Sequence, residues 1–135
     1  MQELQLTPLT GTILALQFAA FGWRVNREIA VGDAGRRTWF PLPDIINILS
    51  LMGLVGLCIV LPLSQSHYMP WSRRMLAIAA TLIACHPLTM AVHYGLFRKE
   101  RPLGLDGDFQ YASKEEIVTV CLSIALAASA AVVSI

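Results

Sequence analysis

Residues 45–63 read IINILSLMGLVGLCIVLPL, nineteen positions without a formal charge. A helix rises about 1.5 Å per residue and needs about 20 residues to cross the ~30 Å hydrocarbon core of a bilayer. The run has that length. It lacks period-two alternation and is longer than the roughly 9–11 residues of a membrane strand. Inside lipid every backbone polar group must be satisfied within its own segment, so the run reads as a transmembrane helix. Pro41-Leu42-Pro43-Asp44 introduces it and Pro62 closes it.

Working outward, three further apolar stretches of similar length occupy 4–23, 75–97 and 117–135. The charges between them are gathered into short patches. Apolar residues make up 56% of the 135-residue chain and charged residues only 14%, where a soluble domain carries about a quarter. The pattern predicts one domain, 1–135. Its fold class is an all-α integral membrane protein, four transmembrane helices in a bundle at approximately 4–25, 44–64, 72–97 and 114–135. Each helix has an expected start: Thr7 before Pro8, Asp44, Ser72, and Ser113 in the capping box Ser113-Lys114-Glu115-Glu116.

Lysine and arginine set the orientation. Arg24, Arg27, Arg36 and Arg37 follow the first span, and Arg98, Lys99, Arg101 and Lys114 follow the third. The remaining connection has only Arg73 and Arg74. By the positive-inside rule the first and third loops are cytoplasmic, and both termini lie on the non-cytoplasmic side. Trp23, Trp39, Tyr68, Trp71 and Tyr94 fall near span ends, where interfacial aromatics collect. No basic region precedes the first span, so it reads as a retained helix and not a cleaved signal. Short loops suit a bacterial cytoplasmic membrane.

Several chemistries are excluded. A net charge of +1 without a basic stripe argues against nucleic acid as a partner. Cys58, Cys85 and Cys121 sit in three different apolar runs without CxxC spacing, so they read as inert thiols; neither a disulfide framework nor a metal site is expected. A membrane haem needs facing histidines on different helices, whereas only the third span carries them and His67 lies outside. Asp106-Gly107-Asp108 opens like a calcium loop, but Tyr111 and Ile117 stand where glycine and glutamate are required. No cofactor is expected, and no catalytic constellation marks an enzyme.

What remains is polar side chains at membrane depth, which are costly there and mark function by default. His86 is central in the third span, followed by Pro87, which removes a helix hydrogen bond. His86, Thr89 and His93 recur at i, i+3, i+7 and share a face. At about 1.5 Å per residue, His93, Asn47 and Thr119 come to similar depth, with Gln17 nearer the middle. The candidate intramembrane site is therefore His86, His93, Asn47, Asp44, Gln17 and Thr89, although Asp44 and Glu116 also serve as helix-start residues. Small residues provide the other signal: Ser123, Ala127 and Ala131 form a ladder, joined by Gly53 and Gly56, and such residues let helices approach closely in lipid.

Two functions fit. The first is a non-enzymatic bundle in the bilayer, working as an accessory or assembly subunit or as a homo-oligomer. The alternative is a small oligomeric channel or proton-coupled transporter using His86 and His93.

Overall fold

The computed structural model describes residues 6–35, 40–65, 70–95 and 112–134. Among them the chain is helical, without strands. Helix α1 spans Leu6–Asp33 and α2 begins as Leu42–Val55. The latter continues through a π turn, Gly56–Val60, into a last α turn, Leu61–Gln65. Helix α3 spans Pro70–His93 and α4 spans Lys114–Val133. Helix α3 is central: it packs on the other three, most extensively on α4.

Three segments are long and apolar enough to cross a membrane: Leu42–Ser64, Pro70–His93 and Lys114–Val133. Helix α1 is not among them. It carries Thr7, Thr10, Thr12 and Gln17, and it runs on through Arg24, Arg27 and Glu28. The apolar run predicted its end near residue 25. No glycine or proline interrupts 23–31, and Arg24 pairs with Glu28 one turn on, so the helix continues to Asp33. It stops at Gly35, whose φ of +71° is the left-handed conformation in which helices often end.

The start of α2 also differs from expectation. Pro41 is its N-cap, and the Pro41 carbonyl accepts from the amides of Asp44 and Ile45 at 3.0 and 3.2 Å. Pro43 has no N–H to satisfy. The first turn is therefore complete without a capping side chain, and the Asp44 carboxylate is released for another use. Likewise α3 begins at Pro70, which suits a first helical position, so Ser72 lies inside the helix and does not cap it.

Ser72 has a different task, set by the π turn. In that turn the Leu61 N–H donates to the Gly56 carbonyl. Leu57 would next need an amide from residue 62, but that residue is proline. The buried Ser72 hydroxyl donates to the Leu57 carbonyl instead, at 2.5 Å, and Cys58 Sγ donates to the Ser72 carbonyl at 3.2 Å. The side chain of α3 thus completes a backbone gap in α2.

The interior is inverted relative to a water-soluble protein. Of the buried residues described, eleven are polar or charged against seven hydrophobic. The apolar core of Leu54, Cys58, Leu76 and Ala79 is small. Leu16, Phe18, Leu49, Met52, Leu88, Leu122 and Leu126 face outward. A surface this apolar around a polar interior fits lipid, where neighbouring helices and not the solvent must satisfy polar groups.

The glycines and small residues divide. At Gly53 an added Cβ would lie 2.9 Å from Sδ and Cε of Met75, so glycine admits the Met75 side chain. At Gly56 no atom of another helix lies within 4 Å of such a Cβ, and the residue stands at the head of the π turn. Ser123 and Ala127 are buried and Ala131 is partly so, so this ladder faces the bundle. Of the three thiols, Cys58 is buried and Cys121 faces outward.

Candidate functional site

Each helix contributes a polar stripe. On α1, Thr10, Gln17 and Arg24 recur seven residues apart and are all buried. On α2 the inward residues are Asp44, Asn47 and Ser50. On α3 they are His86 and Thr89 with the His93 side chain, and on α4 they are Glu116 and Ser123. These spacings of three, four and seven keep one face of a helix turned inward. Stacking of Phe40 on Phe21, at 6.2 Å between ring centroids, holds the start of α2 against α1. That contact brings Asp44 to Arg24.

Arg24 is the centre of the site, 2% exposed. Its Nη2 lies 2.7 Å from Glu28 Oε1 and its Nε lies 2.8 Å from Asp44 Oδ2. Its Nη1 donates to the Tyr94 hydroxyl. Asp44 Oδ1 meets His86 Nε2 at 2.9 Å. One carboxylate is thus shared by a guanidinium from α1 and an imidazole from α3. A carboxylate accepts only, so His86 carries its proton on Nε2 in this contact. Arg27 sits over the Tyr94 ring at 4.2 Å and reaches Glu28 at 3.5 Å. Burial raises the Tyr94 phenol above its ordinary pKa, against the opposing pull of Arg24 and Arg27, so its hydroxyl stays neutral.

Two smaller clasps flank this centre. Gln17 Nε2 donates to Asn47 Oδ1 at 3.3 Å and to Ser50 Oγ, tying α1 to α2. His93 Nδ1 meets Glu116 Oε2 at 2.9 Å, tying α3 to α4. Ser113 does cap α4, accepting from the Glu116 amide at 3.1 Å. The Glu116 carboxylate, expected to return to the cap, is instead drawn to His93.

The six candidate residues therefore fall into three groups. Gln17 joins Asn47, and Asp44 joins His86. His93 stands with Glu116, while Thr89 donates to the His86 carbonyl at 2.9 Å. Thr119 joins none of them: its hydroxyl turns back to the carbonyls of Glu115 and Glu116. Helix α3 continues past Pro87, and His86 bonds across to α2 and not to a carbonyl of its own helix. Tyr94, expected at the interface, turns into the bundle, whereas Trp23 and Trp71 are exposed. Trp39, His67, Tyr68, Asp106, Gly107 and Asp108 lie outside the described residues, as do Arg36, Arg37, Arg98, Lys99 and Arg101.

Arg24, Glu28, Ser50 and Tyr94 were not anticipated. The available signal was the seven-residue recurrence of Thr10, Gln17 and Arg24, which places the arginine on the same face as the glutamine. Counting Arg24 as a loop charge hid it. Among the described residues no three His, Cys, Asp or Glu side chains converge as metal ligands would.

Fold and site together define an all-helical protein, with three helices fit to cross a membrane and a buried, charge-paired interior. No family model matches the chain, and neither a curated protein nor a solved structure does.

Proposed function

We propose that this protein is a non-enzymatic bundle in the bilayer, an accessory or assembly subunit or a homo-oligomer. The observation that carries this reading is how the buried charges are used. Arg24 is matched by Asp44 and Glu28, His86 by Asp44, and His93 by Glu116. Charged groups so paired, all but Arg24 with Glu28 between helices, hold a scaffold together and leave little free chemistry for a substrate.

In this reading α1 is the fourth span. Its stripe of Thr10, Gln17 and Arg24 lies inward, while Leu9, Leu16 and Phe18 face outward. Arg24 leaves the loop tally, since it is buried. Of the ten Lys and Arg residues, Arg24 is buried and Arg73 and Arg74 lie beside the second connection, which leaves seven on or beside the first and third connections. Seven against two favours a cytoplasmic side for those connections and an outer side for both termini. The outward face of α4, with Ala125, Ala128 and Ser129, is small enough for another helix to approach.

The mass of the protein in mild detergent tests this reading. A whole-number multiple of the 14.8 kDa protomer, or a stoichiometric complex with another membrane protein, is expected. A monodisperse monomer that retains no partner would overturn it.

A second reading, an oligomeric proton channel or proton-coupled transporter, is favoured by one observation: two histidines each face a carboxylate, as in a proton relay. Proton flux into liposomes decides it. His86→Ala and His93→Ala should each reduce a wild-type flux, and the reading falls if wild type conducts at no pH between about 5 and 8, the range in which histidine changes charge.

A further inference from the structure

A small cavity lies where α2, α3 and α4 meet, with Asn47, His86, Thr89 and Ser123 on its wall among apolar side chains. Its water-accessible volume is about 10 Å³, at the lower end of the ~10–15 Å³ that a single water needs. Room is not sufficient, because an apolar void of that size stays dry and a buried water requires about two to four polar partners. The chemistry of the wall supplies them.

The Thr89 hydroxyl proton is committed to the His86 carbonyl at 2.9 Å, and the Ser123 proton to the Thr119 carbonyl at 2.8 Å. Both oxygens retain lone pairs and can only accept. Asn47 uses Oδ1 for Gln17, which leaves its amide protons as donors. His86 uses Nε2 for Asp44, which leaves Nδ1. That nitrogen accepts when the ring is neutral and donates when it is protonated.

We propose that this cavity is a binding site for one water molecule, held by the Asn47 amide, His86 Nδ1, and the Thr89 and Ser123 hydroxyls. Water fits where no fixed side chain would, since it can donate two hydrogen bonds and accept two. It accepts from Asn47 and donates to a hydroxyl, and it can turn to serve either protonation state of His86. The water links α2 to α4, a pair joined by none of the three side-chain clasps. The site is independent of both functional readings above.

Solid-state NMR of protein with ¹⁵N-labelled histidine in lipid bilayers tests this. Histidine signals are assigned from single His→Gln variants. A cross-peak between an immobilised water and the His86 ring is expected in the wild-type protein. It should be lost in Ser123→Val, which removes an acceptor and fills the space. If that variant does not fold, Leu82→Phe fills the cavity from its apolar wall. Absence of the cross-peak in wild type overturns the site, as does its survival in the filled variant.

Discussion

Arg24 shows how much a single buried side chain can organise. Taking a charged group out of water costs several kcal/mol even after the protein relaxes around it, so its burial requires return from partners. Here it has two carboxylates and a phenol, drawn from its own helix, from α2, and from the residue just after α3. Removing it should do more harm than loss of one contact, because Asp44 and Glu28 would stay buried without their guanidinium. Arg24→Met is expected to destabilise the protein by about 3–5 kcal/mol, the usual cost of breaking a buried pair from one side. Asp44→Asn in the same background removes the stranded charge while keeping an oxygen for His86. The double variant should therefore be more stable than Arg24→Met alone, in unfolding titrations by a denaturing detergent. Additive losses would show that the two residues do not act as a pair. This residue also marks where sequence reading stopped. Gln17, Asn47 and His86 were legible because polar atoms inside apolar runs stand out. Arg24 sits at the edge of its run, where a charge is ordinary, and only its distance of seven residues from Gln17 indicates that it turns inward.

At the scale of elements, length and apolar composition made three segments fit to cross a membrane readable, because a bilayer fixes how long an apolar helix must be, while the run at 4–23 has the length but carries more polar residues. Their starts were less readable. Of the four predicted caps, Ser113 caps α4, whereas Asp44 and Ser72 lie inside helices whose first turns are already served by proline. Thr7 lies in the first turn of α1, one residue past Leu6. Capping preferences are local, and neither carboxylate nor hydroxyl reveals by its spacing that a distant helix will claim it. The π turn makes this concrete. Proline at 62 removes the amide that the Leu57 carbonyl would use, and Ser72 provides the donor from another helix. Ser72→Ala leaves a buried carbonyl unsatisfied, at an expected cost of about 1–3 kcal/mol. Pro62→Ala returns an amide to α2, so it should reduce the damage: Ser72→Ala/Pro62→Ala is expected to melt above Ser72→Ala. If Pro62→Ala brings no recovery, the serine matters for some reason other than the missing amide.

Across the whole molecule, the polar interior and apolar exterior follow from one cause. Lipid offers helices no hydrophobic reason to associate, so close packing and buried polar contacts must hold them. The clasps are distributed accordingly: Gln17 with Asn47 and Ser50 joins α1 to α2, the Arg24–Asp44–His86 set joins α1, α2 and α3, and His93 with Glu116 joins α3 to α4. Helix α4 otherwise meets the bundle through uncharged side chains such as Val120, Ser123 and Ala127, and therefore draws much of its hold from the charged clasp at Glu116. Its Glu116 is expected from the capping box to return to the N-cap, and the fold turns the carboxylate to His93 instead. A mutant cycle separates the two roles by energy. If Glu116 served mainly the cap, the losses in His93→Ala and Glu116→Ala would add. Because the two side chains meet at 2.9 Å, the double variant should lose less than the sum, with a coupling of about 0.5–3 kcal/mol. Glu116→Gln keeps an oxygen for the imidazole and should fall between wild type and Glu116→Ala. Ser113→Ala supplies the comparison: it loses the real cap, costs about 1 kcal/mol, and should leave the coupling between His93 and Glu116 intact.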